Sequence, residues 1–166
     1  MKIICVSGLK NSGKTTLIEA LIPLLAAHGV HTAVIKHHGH GFAGEIPDKP
    51  GTDTYRFLEN GAFGTVIYDD EVFALVKRQP AGPEEFVAMF SDADLVIIEG
   101  AKAALYPRIA MLRTGQPLTS EANTLLCAVT DPGCAADSLP EGLPRFDFGD
   151  FESIAGFLLE YIQSPD

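Results

Sequence analysis

The chain has 166 residues, 46% hydrophobic and 20% charged, which suits one ordinary globular domain. That composition leaves little room for a disordered chain, a solenoid or a coiled coil. Twelve Lys and Arg stand against twenty-two Asp and Glu, a net charge of −10, so no broad nucleic-acid or anionic-membrane surface is expected. Any polyanion held by this chain must be gripped by a local site that opposes the overall field. No apolar run reaches the roughly 18 residues of a membrane-spanning helix. The opening Ile3-Ile4-Cys5-Val6 is too short for an export signal. Cys5, Cys127 and Cys134 are odd in number and share no ligand-like spacing. Cys5 and Cys127 lie in apolar runs and read as buried thiols of a reduced, cytoplasmic protein.

Taken in chain order, residues 3–7 are a strand and residues 15–28 a helix, with Leu17, Leu21, Leu24 and Leu25 on one face. Pro23 is expected to kink that helix or weaken a turn, and Gly29 to stop it. A second strand covers residues 30–36. Residues 37–51 then hold four Gly, two Pro and three His without periodicity, a loop of a length that is usually functional or disordered. A short helix at 52–60 ends at Gly61. Strands at 65–68 and 73–77 flank Asp69-Asp70 at hairpin spacing, so an antiparallel portion is expected. A helix at 83–90 leads to the most apolar strand, 95–98. Strands at 108–113, 125–130 and 145–148 follow, and a helix at 151–163 closes the chain. Apolar strands alternating with helices describe an α/β, three-layer fold with a mainly parallel sheet. No linker or repeat divides the chain, so residues 1–166 read as a single nucleotide-binding domain.

Gly8-Leu9-Lys10-Asn11-Ser12-Gly13-Lys14-Thr15 fits G-x-x-x-x-G-K-[ST], the Walker A pattern of P-loop proteins, between a strand and an amphipathic helix. Gly8 and Gly13 let consecutive amides turn inward at phosphate oxygens, and the helix N-terminus adds positive potential there. Lys14 is assigned to the β- and γ-phosphates and Thr15 to Mg²⁺, with Lys10, Asn11, Ser12 and Thr16 completing the phosphate-binding set. Ligands bind beyond the carboxyl ends of parallel strands, which places Glu99, not Asp94, beside the phosphates. Glu99 is therefore the candidate acidic partner of Lys14 in catalysis and of Thr15 at the metal.

The segment from Lys36 through His37, His38 and His40 to Asp48 and Asp53 also follows a strand's carboxyl end. It reads as a switch loop that brings Asp48 or Asp53 to Mg²⁺, as a transition-metal site, or as a plain polar loop. No N-K-x-D motif marks a guanine reader. Asp131, after the strand 125–130, stands where such a motif would sit and equally suits a turn before Pro132-Gly133.

Together these segments resemble the molybdopterin-guanine dinucleotide biosynthesis protein B (MobB) family. The resemblance is carried by residues 8–16, Leu21-Ile22-Pro23, Val34-Ile35-Lys36-His37, Asp48-Lys49-Pro50-Gly51 with Asp53, Arg56, and Gly61-Ala62. Ala74-Leu75, residues 95–100 with Lys102, and Pro107-Arg108-Ile109 continue it in the same order. It implies a P-loop GTP-binding fold with extra strands used in a homodimer. It also implies GTP and Mg²⁺ as ligands, weak GTPase activity, and assistance to a molybdopterin guanylyltransferase (MobA-like) partner. The long loop after His37, Gly39 in place of a family histidine, and Ala101 in place of an aromatic depart from the family pattern.

Two other classes remain. A metallochaperone GTPase for nickel or a similar ion would use His37 and His40, though no Cys-Pro-His motif or His-rich tail is present. A small-molecule kinase would need an arginine-bearing lid, and the five Arg are not clustered. Any GTP hydrolysis should be slow, because no arginine finger or water-positioning Gln is evident.

Overall fold

Long apolar runs buried on both faces favour parallel pairing, because crossover helices must cover each side of the sheet. The computed structural model of the chain describes residues 1–39, 41–42, 45–101, 104–118, 124–132 and 139–165. Its elements are β1 (Lys2–Ser7), α1 (Lys14–Ala26), β2 (Thr32–Lys36), α2 (Asp53–Glu59), β3 (Gly64–Tyr68) and β4 (Phe73–Lys77). They continue with α3 (Pro83–Ala88), β5 (Leu95–Glu99), β6 (Arg108–Leu112), β7 (Leu125–Thr130), β8 (Arg145–Asp147) and α4 (Phe151–Gln163). The chain divides into two compact units, Met1–His37 with Pro83–Asp166, and His38–Gly82.

The larger unit holds a six-stranded sheet in the order β2-β5-β1-β6-β7-β8, with every neighbouring pair parallel. Alternation along the strands builds the layers. Ile4, Val6, Ile97, Ile109 and Val129 share a cluster with Leu17, Ile18, Leu21 and Leu25 of α1 and Ile154, Ala155 and Leu158 of α4. The intervening Cys5, Val96 and Ile98 cluster instead with Val87 of α3. Ala110, Leu112 and Ala128 pack with Leu139. This is the three-layer α/β arrangement expected from the strand–helix alternation. Cys5 and Cys127 are buried free thiols; burial raises the pKa of both and pushes that of Cys127 up to about 12.

Helix α1 runs unbroken through Pro23. Proline removes the hydrogen bond to the Glu19 carbonyl, but both residues are exposed, so water can serve that oxygen. The helix ends at Ala26, two residues short of the expected span, and a turn carries the chain to Gly29, whose φ of +77° is left-handed. Val30 N–H donates to Leu25 O and Gly29 N–H to Ala26 O, the paired closure of a Schellman turn.

In the smaller unit, Thr52 caps α2 by accepting from Tyr55 N–H at 3.3 Å. Strands β3 and β4 pair antiparallel, with Tyr68 opposite Phe73, and form a two-stranded sheet of their own. Asp69 closes the hairpin by accepting from the amides of Glu71 and Val72. Val66, Ile67, Tyr68 and Phe73 are each more than half exposed, so this ribbon carries much uncovered apolar area.

Candidate nucleotide-phosphate site

All six parallel strands end along one edge of the sheet, and β1 delivers Ser7 there directly into the glycine-rich loop. Gly13 precedes α1 with φ +90°, a conformation costly for any other residue. Asn11, at φ +62°, is the one non-glycine residue with positive φ among the described residues. Gly8 answers to close approach: a Cβ there would lie 2.7 Å from Met111 O and 2.7 Å from Ser12 Oγ. Lys14 reaches back across the loop, its Nζ donating to Leu9 O at 2.8 Å and Gly8 O at 3.2 Å. The Ser12 hydroxyl is fully buried without a hydrogen-bond partner among the described residues. An unmet buried hydroxyl and a left-handed Asn are the kind of strain that collects at ligand sites.

The second cluster forms where β2 and β5 run side by side. Their register pairs Lys36 with Glu99, so two opposite charges emerge together. His37 N–H donates to Glu99 O and Gly100 N–H to Val6 O, which fixes the end of β5 between its neighbours. The Thr15 hydroxyl donates to Glu99 Oε1 at 3.0 Å. Lys36 Nζ lies 3.2 Å from Glu99 Oε2 and donates to Thr15 Oγ1 at 3.3 Å. Thr15 and Glu99 thus bring two hard oxygens together, the donor chemistry a magnesium ion takes alongside phosphate and water. Lys36 was not among the site residues expected from sequence. Its signal was available, a lysine ending one strand beside a glutamate ending another, but only the strand order reveals that the two are neighbours.

A third group braces the loop from below. Arg113, just past β6, donates from Nε to Ser12 O at 3.0 Å and stacks its guanidinium 3.8 Å over the Phe148 ring. Its Nη1 pairs with Asp131 Oδ1, while Thr114 N–H donates to Asp131 Oδ2 at 3.0 Å. The Thr114 amide and the Arg113 guanidinium hold the Asp131 carboxyl below the usual range. Asp131 therefore anchors the arginine that supports the P-loop backbone, a use that the turn motif did not announce. Arg113 and Phe148 also account for Gly13, since a Cβ there would lie 2.6 Å from Arg113 Nη2 and 2.8 Å from Phe148 Cε2.

Other expected residues fall as follows. Lys10 and Thr16 are exposed. Asp94 lies at the opposite end of β5 from Glu99 and accepts from His31 N–H. Asp48 and Asp53 belong to the smaller unit, where Asp48 accepts from Lys49 N–H at 2.7 Å and Asp53 lies 3.5 Å from Arg56. His38 stacks on Phe42 in the same unit; His40 and Cys134 lie outside the described residues, as does Lys102. Among the described residues no three or more His, Cys, Asp or Glu gather to hold a metal ion. No helix there is long and apolar enough to cross a membrane.

A strand–loop–helix of this geometry on a parallel sheet defines an α/β protein of the P-loop type. The sequence family of molybdopterin guanine dinucleotide synthesis protein B, MobB, matches residues 3–131, and the chain belongs to that family. The molybdopterin-guanine dinucleotide biosynthesis adapter protein of Escherichia coli K12 is 29% identical over 175 aligned positions, covering 99% of this chain and 95% of that protein. A probable adapter protein of the same kind from Bacillus subtilis 168 is 31% identical, covering 89% and 86%. The crystal structure of Bacillus subtilis MobB superposes with a TM-score of 0.79 at 25% identity, covering 99% of this chain and all of the other.

Proposed function

We propose that the protein is a GTP-binding adapter in the biosynthesis of molybdopterin guanine dinucleotide. The observation that carries the nucleotide reading is the loop from Gly8 to Thr15. It opens onto a helix N-terminus, has Lys14 drawn across its carbonyls, and lies beside the Thr15–Glu99 pair. In this reading the amides of residues 9–15 face the phosphates, Lys14 leaves the Gly8 and Leu9 carbonyls for the β- and γ-phosphates, and Thr15 with Glu99 holds Mg²⁺. Magnesium, when bound, would lower the charge on the nucleotide and orient it. Asp48 and Asp53 act as further acidic groups of a loop that responds to the γ-phosphate. Asp131 retains lone pairs beyond its bonds to Arg113 and Thr114, and a guanine edge is the donor proposed for them. Hydrolysis is slow, because Arg113, the arginine tied to this loop, is committed to the Ser12 carbonyl.

The adapter role follows the names of the relatives, and the partner is proposed to be a MobA-like molybdopterin guanylyltransferase. A chain of net charge −10 suits a basic docking surface on that enzyme, and the complex should weaken in high salt. The exposed apolar ribbon β3–β4 is the proposed contact of a cytoplasmic homodimer. Calorimetric titration with GTP and ATP tests the first step: GTP should bind in the presence of Mg²⁺ and outcompete ATP. Equal or tighter ATP binding overturns the guanine assignment, and failure to capture a guanylyltransferase overturns the adapter role.

A further inference from the structure

The Thr15–Glu99 pair already has a cation. Lys36 places its ammonium within 3.2 Å of Glu99 Oε2 and 3.3 Å of Thr15 Oγ1, on the same two side chains proposed above for Mg²⁺. A divalent ion and an ammonium cannot share those oxygens at such distances, because the repulsion of two cations a few ångströms apart is steep. Burial decides which group yields. The Glu99 side chain is only 10% exposed and is fixed between β1 and β2, whereas that of Lys36 is 57% exposed on four rotatable bonds. The lysine is the movable member.

We infer that Lys36 is a resident cation for the Thr15–Glu99 pair, exchanged for the divalent ion of a metal–nucleotide complex. The inference rests on the nucleotide and magnesium reading above and adds a residue to it. Lys36 pairs with one oxygen of the buried carboxylate while Thr15 donates to the other, so the metal subsite is shaped before it fills. Its release then leaves a positive charge beside the phosphate loop, free to meet the nucleotide's terminal phosphate. The exchange also occurs two residues before His38, where the smaller unit begins.

Mn²⁺ binding to the full chain, followed by electron paramagnetic resonance without nucleotide, isolates this step. Lys36→Met should bind Mn²⁺ about five-fold more tightly than wild type, the worth of one partly exposed ion pair. The gain should persist at about 1 M salt, where the Debye length of about 3 Å removes longer-range charge effects. Lys36→Gln should repeat the gain, and Lys36→Arg, which keeps the charge, should not. Equal Mn²⁺ affinities in Lys36→Met and wild type overturn the inference, as does a gain that vanishes in salt. GDP and GTP titrations of the wild type with Mg²⁺ stand apart from this: no binding there refutes the nucleotide reading, whatever Mn²⁺ does at Lys36.

Discussion

Replacing Gly13 with Ala tests whether the braced P-loop is built as described. The added Cβ would sit 2.6 Å from Arg113 Nη2 and 2.8 and 3.0 Å from Phe148 Cε2 and Cζ, all inside ordinary contact. The backbone there has φ +90°, and a left-handed conformation costs a non-glycine residue about 1–2 kcal/mol. Forcing a methyl against a stacked arginine and phenylalanine adds about 1–3 kcal/mol of overpacking. The expected loss is therefore about 2–5 kcal/mol, which lowers Tm by at least about 5 °C in a domain of this size. Urea and thermal unfolding measure it. A double-mutant cycle with Phe148→Ala supplies the control, because removing the ring lets the guanidinium move aside. The pair should be less damaging than the sum of its parts by about 1 kcal/mol or more. A Gly13→Ala protein within about 0.5 kcal/mol of wild type, or strict additivity with Phe148→Ala, refutes the packing argument.

Lys14→Ala should weaken GTP binding by calorimetry about ten-fold or more while costing the fold about 1 kcal/mol or less, because its bonds to the Gly8 and Leu9 carbonyls are partly exposed. Unchanged affinity would show that the loop does not hold phosphate. The folded-state pKa of Asp131 is depressed below its ordinary value of 3.8, so its contribution is present above that value. As pH falls through the folded pKa, that contribution is lost. Urea midpoints from pH 5 downward should fall less steeply for Asp131→Asn than for wild type, and parallel acid limbs would contradict the Arg113–Asp131 anchor. Ile67→Asp on the exposed ribbon should convert the proposed homodimer to monomer in sedimentation without changing the far-ultraviolet circular dichroism. A variant still dimeric would place the interface elsewhere.

Much of the fold was legible because its signals are local. The Walker A spacing, the heptad-like leucines of α1 and the unbroken apolar run of β5 each name an element from a few neighbouring residues. Glu99 followed from a general rule about strand ends, and its hydrogen bond to Thr15 agrees with it. Lys36, Arg113 and Phe148 were not assigned to the site because their roles depend on strand order. β5 lies between β2 and β1, and β8 lies outermost, and no periodicity encodes either fact. Asp131 shows the same limit from the other side. Its position after β7 was legible, but not the arginine eighteen residues earlier that claims it. Pro23 removes one backbone hydrogen bond from α1, as its residue type implies, but the exposure of the affected carbonyl cannot be read from the residue itself.

The distances in sequence between these partners have a consequence for how the protein is made. Thr15 meets Glu99 across 84 positions and Ser12 meets Arg113 across 101. At synthesis rates of about 5–20 residues per second, the glycine-rich segment waits roughly 5–20 seconds outside the ribosome before its brace emerges. Throughout that interval the nascent chain carries a complete motif and no assembled site. Phe148 comes later still, so the loop's full brace assembles only after β8 has been made. The motif is thus in place long before the contacts that hold its shape.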